Sequence, residues 1–164
     1  MKDFETICVA SGVQIVSAPA NRFKTNEISI SFCTPLSAKT ASRNALCANL
    51  LARTTKKYPT LSEFNKKLAM LYGASVTCSV AKLGENQLLT LNASSLDDRF
   101  SFENDKISVD AFNLLMSMVF DANVDENGLF YPQDIDREKR LLAEKIESEE
   151  NEKRIYSLRR LEQI

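Results

Sequence analysis

The chemistry open to this sequence is bounded first by a residue type it lacks: there is no histidine among its 164 residues. Imidazole is the base of the Ser/His/Asp and Cys/His nucleophilic sites and the usual nitrogen ligand of zinc, so none of these can be assembled from this chain alone. The four cysteines, Cys8, Cys33, Cys47 and Cys78, are widely spaced and form no CxxC pair, which removes the common thiolate metal and redox motifs. Each lies among apolar or strand-forming neighbours and is expected to be a buried free thiol; no disulfide framework is expected in a reducing compartment. The four glycines, Gly12, Gly73, Gly84 and Gly128, are too dispersed to shape a phosphate-cradling loop. What remains are carboxylates and amines, densest from Gln133 to the end of the chain. Glu138 and Lys145 read there as charges on a solvated helix face, where an exposed pair contributes only about 0–1 kcal/mol.

Charge and length narrow the partners. Lys and Arg number 21 against 22 Asp and Glu, a formal net charge of −1, so no broad positive field draws the chain to nucleic acid or anionic lipid. No stretch approaches the ~20 apolar residues of a membrane span. The polar opening Met1-Lys2-Asp3-Phe4-Glu5 is followed by no signal-peptide block, and a cytoplasmic location is expected. With 44% hydrophobic residues the chain can form a real core, since a domain of about 150 residues buries about 70% of its unfolded surface. Residues 1–164 are read as a single domain.

The elements that would hold these groups follow from periodicity. Val13 to Val16 reads as a strand, Pro19 to Arg22 as a turn, and Ile28, Ile30 and Phe32 alternate with Ser29 and Ser31, so the opening reads as a β-meander. A helix follows, with Ala41, Ala45, Ala48 and Ala52 on a close-packing stripe widened by Leu46, Leu50 and Leu51. On this reading Asn49 is either a surface residue or a buried, satisfied amide. After the polar loop Thr54–Pro59, Thr60 and Glu63 have the spacing of a capping box and Gly73 that of a left-handed stop. The helix between them carries Leu61, Phe64, Leu68 and Leu71 on one face, with Lys66 and Lys67 pointing away. Val76, Cys78 and Val80 then alternate, and a turn at Gly84-Glu85-Asn86 leads into Leu89, Leu91 and Ala93, giving a hairpin with one apolar face. Ala111, Phe112, Leu115, Met118 and Val119 mark another helix, and a charged helix carrying Ile135, Leu142 and Ile146 starts near Gln133. No glycine or proline stops it before Ile164, so a longer natural polypeptide is expected.

This order of strands, helix, loop, helix, hairpin and two further helices resembles one domain of the insulinase, pitrilysin and mitochondrial processing peptidase family, over essentially the whole chain. The loop Thr55–Thr60 looks like the segment after that family's zinc helix, and Phe64–Ser75 resembles the helix and strand entry that come next. Phe23-Lys24-Thr25 and Gly84-Glu85-Asn86-Gln87 look like a bacterial branch, the YfmF-type proteins. The resemblance implies an α+β fold in which helices cover an antiparallel sheet, as in the half-domain of the insulinase-type peptidases.

It also implies a lost site. Active members carry HxxEH, two histidines on one helical face holding zinc and a glutamate activating its water. Aligned back from Tyr58-Pro59, the first histidine falls on Ala45, the glutamate on Ala48 and the second histidine on Asn49. The family's further glutamate ligand lies seven residues after a glutamate followed by a basic residue. Glu138-Lys139 fits that start and puts Lys145 at the ligand position; a one-residue shift would put Glu144 there instead, without rescuing a zinc site. Alanines, an amide and an ammonium supply no catalytic group, so neither enzyme activity nor any metal or other cofactor is expected. Because inactive subunits of this family pair with active ones, the resemblance implies a non-catalytic partner of an HxxEH-bearing peptidase, shaping a chamber for peptide or protein substrate. The alternative is a stand-alone peptide- or protein-binding module, possibly homodimeric. An enzyme of another class has no supporting constellation of residues.

Overall fold

The computed structural model describes residues 4–18 and 22–161. Five strands and five helices are found there: β1 (Glu5–Ala10), β2 (Val13–Ser17), β3 (Thr25–Pro35), α1 (Ala41–Leu51), α2 (Leu61–Met70), β4 (Ser75–Leu83), β5 (Asn86–Leu96), α3 (Ile107–Phe120), α4 (Pro132–Asn151) and α5 (Lys153–Leu161). The fold is α+β, with antiparallel pairing throughout. β1 and β2 form a two-stranded sheet, and β3, β5 and β4 form a three-stranded sheet in that spatial order.

The three-stranded sheet follows from alternation. A two-residue turn at Gly84-Glu85, with Gly84 at φ +58°, closes β4 on β5 so that Leu83 pairs with Asn86. β3 then pairs with β5 along its whole length, from Thr25 opposite Leu96 to Pro35 opposite Asn86. One face carries Ile28, Ile30, Val76, Leu91 and Ala93 into the core. The other carries small polar groups that satisfy one another: Ser29 Oγ donates to Asn92 Oδ1 at 2.8 Å, and Asn92 Nδ2 donates to Glu27 Oε2 at 2.7 Å.

The helices close over the apolar face. Phe64 and Leu71 near α2 meet Ile107, Leu114, Leu115 and Met118 of α3 against Leu91, and Leu115 and Met118 have no exposed surface. α2 starts as its sequence predicts: Glu63 N donates to Thr60 Oγ1 at 3.2 Å and Thr60 N to Glu63 Oε2 at 3.1 Å. It stops through two left-handed residues in succession, Tyr72 at φ 57° and Gly73 at φ 75°. The start of α3 is held by Asp98, from a short 3₁₀ turn at Asp98–Phe100, whose carboxylate accepts from Ser108 N at 2.8 Å. The loop before α2 is anchored by Thr55, which is wholly buried and bridges to Ala122.

Several expectations need correction. The opening is not a meander: Glu5–Ala10 is a further strand, and β2 pairs with it through the turn at Ser11-Gly12 instead of with β3. Alternation specifies that a segment is a strand but not its partner, and the tight local turn wins. Of the predicted turn Pro19–Arg22, residues 19–21 lie outside the described residues, and Arg22 is in a turn. Leu61 is exposed, and Lys67 does not point away but pairs with Asp110 of α3, Nζ to Oδ2 at 2.9 Å. The charged helix is interrupted at Glu152, dividing α4 from α5. None of the described helices is long and apolar enough to cross a membrane.

The core and the cap should separate in stability. Leu115→Ala, which opens a hole where no surface is exposed, is expected to cost about 2–5 kcal/mol. Thr60→Ala, which removes one cap, is expected to cost about 1 kcal/mol. Urea denaturation followed by circular dichroism checks both, and equal midpoints for the two variants would refute this assignment of the core.

Candidate functional site

The position of α1 is set by an amide buried in the sheet. Gln87 of β5 is 4% exposed; its Nε2 donates to Ala41 O at 2.9 Å, and its Oε1 accepts from Asn44 Nδ2 at 3.0 Å. Both contacts grip the first turn of α1 and thereby fix the rotation of the helix. Ala48 and Leu50 turn into the protein, Ala45 and Asn49 are half-buried, and Cys47 turns outward. The tetrapeptide Gly84-Glu85-Asn86-Gln87 therefore closes the hairpin and docks the helix as well.

Beyond α1, Arg53 reaches α4. Its Nη1 lies 2.5 Å from Glu138 Oε1, in a pair whose side chains are 21% and 9% exposed. A second guanidinium stands on the other side: Arg137 Nε is 3.9 Å from the same oxygen, while Arg137 Nη2 holds Asp134 Oδ1 at 2.6 Å. Glu138 is thus not the surface charge its helix suggested. It is buried because two arginines compensate its charge.

Next to this pair lies a cleft of about 390 Å³, bounded by α1, α2, β4 and α4. Asn49, Asn65, Leu68, Val76, Cys78 and Lys145 are among its walls, with Glu138 and Arg53 at one side. Of the five positions singled out by sequence, the structure brings Asn49, Glu138 and Lys145 to this one cleft; Ala45 and Ala48 share the helix with Asn49 but do not line it. Lys145 and not Glu144 faces the cleft: the Glu144 side chain is 62% exposed and lies 3.8 Å from Arg140 on the outside of the helix. Among the described residues Lys145 forms no ion pair, and neither Asn49 nor Asn65 forms a side-chain hydrogen bond.

These residues do not fit zinc. Ala45 and Ala48 offer no donor atom, Asn49 offers a neutral amide, Lys145 offers a cation, and Glu138 is already taken by arginine. Among the described residues no three His, Cys, Asp or Glu side chains come together in a way that could hold a metal ion.

The cysteines are free but not buried as expected. Cys8, Cys33 and Cys47 are exposed, and Cys78 is half-buried in the cleft. The composition of their neighbours in sequence did not reveal which way each side chain turns. Burial pushes the Cys78 thiol above its ordinary pKa, and the nearby Lys145 ammonium opposes that rise. Sequence reasoning missed Arg53, Arg137 and Asn65, and only the two arginines carried a usable signal, as cations able to bury a carboxylate.

No family model matches the chain. It is 28% identical over 140 residues to "Probable inactive metalloprotease YmfF" of Bacillus subtilis (strain 168), covering 85% of this chain and 33% of that protein. This relative bears the name YmfF, not the YfmF expected from the sequence. A crystal structure of a conserved protein from Enterococcus faecalis V583 superposes with a TM-score of 0.85 at 25% identity, over 93% of this chain and 36% of that one. The chain spans about a third of the length of each. It is therefore similar to a protein named as an inactive metalloprotease.

Two outcomes follow for the cleft. Glu138→Gln or Arg53→Met alone should each cost about 1–3 kcal/mol by leaving the other partner unsatisfied at a partly exposed pair, and the double variant should cost less than their sum in chemical denaturation. Because burial raises the Cys78 thiol, its reaction with maleimide near pH 8 should be slower than that of glutathione and should speed up as pH rises. Lys145→Met should slow it further; peptide mapping of the labelled protein reads the rates, and an unchanged rate would place Lys145 away from Cys78.

Proposed function

We propose that this chain is a zinc-free homologue of the insulinase-type peptidases, folded as one of their half-domains. It works in the cytoplasm as a non-catalytic subunit that helps shape a peptide- or protein-binding chamber for an active partner. The observation that carries this reading is a convergence. Asn49 was matched to a zinc ligand through the loop at Tyr58-Pro59, and Lys145 through the unrelated signal Glu138-Lys139; both line one cleft beside Glu138. That positions placed through two separate segments of the family pattern line one cleft supports a site geometry shared with that family. The likeness to a protein named as an inactive metalloprotease supports the same reading.

Its chemistry is binding without cleavage. The cleft has apolar walls from Phe64, Leu68 and Leu142, amides at Asn49 and Asn65, and beside it β4, one of the two edge strands of the sheet. A strand edge with free backbone groups next to an apolar cleft suits an extended peptide, which pairs through its main chain and places alternate side chains in pockets. This feature also supports the second reading, a stand-alone peptide-binding module, possibly a homodimer.

Affinity purification of the full polypeptide from its own host distinguishes the two. The subunit reading expects a stoichiometric companion bearing HxxEH; a protein that returns alone or only with itself, and still binds peptide, favours the module. Metal analysis should find zinc far below one atom per chain, and a chelator should leave the melting temperature unchanged. Stoichiometric zinc in this chain would overturn both readings.

A further inference from the structure

We propose that Lys145 and Asn49 form a carboxylate-binding subsite, which receives an aspartate or glutamate side chain of an extended peptide lying along the outer edge of β4. The inference rests on the peptide-binding part of the reading above and specifies what that peptide must carry.

Charge complementarity selects the occupant. The cleft is lined by three charged side chains, Arg53, Glu138 and Lys145. Glu138 is consumed by Arg53 at 2.5 Å and by the flanking Arg137, so it is not available to Lys145. The lining is therefore left with one uncompensated positive charge, that of Lys145, an exposed residue of the cleft wall that is open to an incoming anion. An ammonium offers only hydrogen-bond donors, and the Asn49 amide, half-buried and unengaged, adds a donor of its own. Together they complement an anion with two acceptor oxygens.

The strand supplies the register. In the sheet order β3-β5-β4 the outer backbone groups of β4 face no strand among the described residues. Val76 and Cys78, two residues apart, both line the cleft, so a peptide pairing with β4 would present side chains to it at every second position. Cys78 and Lys145 line the same cleft as Val76, Phe64 and Leu68, so the acidic residue is placed opposite Cys78 and an apolar residue opposite Val76. The recognised pattern is an apolar and an acidic residue separated by one position.

The test uses the full-length polypeptide and two strand-length peptide libraries blocked at both ends, so that no terminal carboxylate is present. They are random except for a fixed central residue, aspartate in one and asparagine in the other. In fluorescence anisotropy the aspartate library is expected to bind about tenfold more tightly, as a charge-assisted hydrogen bond to a single cation supplies. Lys145→Met should abolish that preference with an unchanged circular dichroism spectrum, and Lys145→Arg should retain it. Equal binding of the two libraries, or a preference that survives Lys145→Met, overturns the carboxylate subsite while leaving peptide binding intact. Failure of both libraries to bind removes peptide binding and this inference with it.

Discussion

A single buried carboxylate sets how α4 sits against the rest of the protein. α4 is rich in charge and mostly solvated, and among its described side chains Glu138 alone is buried, at 7% exposure. Taking an unpaired carboxylate out of water costs several kcal/mol, so α4 can approach α1 closely only where a cation meets that group. Arg53, just past the end of α1, supplies it, and Arg137 stands behind. The same pairing has a second effect that reaches the cleft: it removes Glu138 from the pool of acids, so the positive charge of Lys145 stays uncompensated.

The parts of the fold visible in the sequence are those decided by neighbours along the chain. The Thr60/Glu63 cap, the Gly84 turn, the left-handed stop at Gly73 and the alternation through Ile28 and Ile30 each need only a few residues and one backbone conformation, and the structure has them all. Choices made between distant segments were not visible. Whether Lys67 meets solvent or Asp110, and whether Glu138 is solvated or held by Arg53, depend on partners far away in sequence.

Cys47 shows the same limit at one residue. Its neighbours Leu46, Ala48 and Leu50 suggested burial, but successive residues on a helix point about 100° apart, so the rotation of α1 decides. That rotation is fixed by Gln87, forty residues downstream, through its grip on Ala41 and Asn44. The candidate site was legible in a different manner: Asn49, Glu138 and Lys145 were found by family resemblance, whereas Asn65, Val76 and Cys78 joined them only once the cleft was seen.

On the proposed reading, an ammonium stands where the family holds a metal, and the two differ in what they do to a bound oxygen. Zinc binds oxygen at ~2.0–2.2 Å, polarises it and lowers the pKa of bound water toward 7, so it generates a nucleophile. An ammonium also carries positive charge but holds oxygen through a proton, at about 2.7–2.9 Å, and activates no water. Lysine at position 145 therefore keeps the sign of the charge an incoming oxygen would meet and removes the means of attacking it. Asn49 acts in the same direction, since an amide can orient a bound oxygen but is a poor zinc ligand. Under the proposed reading, these two substitutions together turn a hydrolytic centre into a holding site. The apolar walls and adjoining strand edge of the cleft serve such holding equally well, since neither depends on a metal.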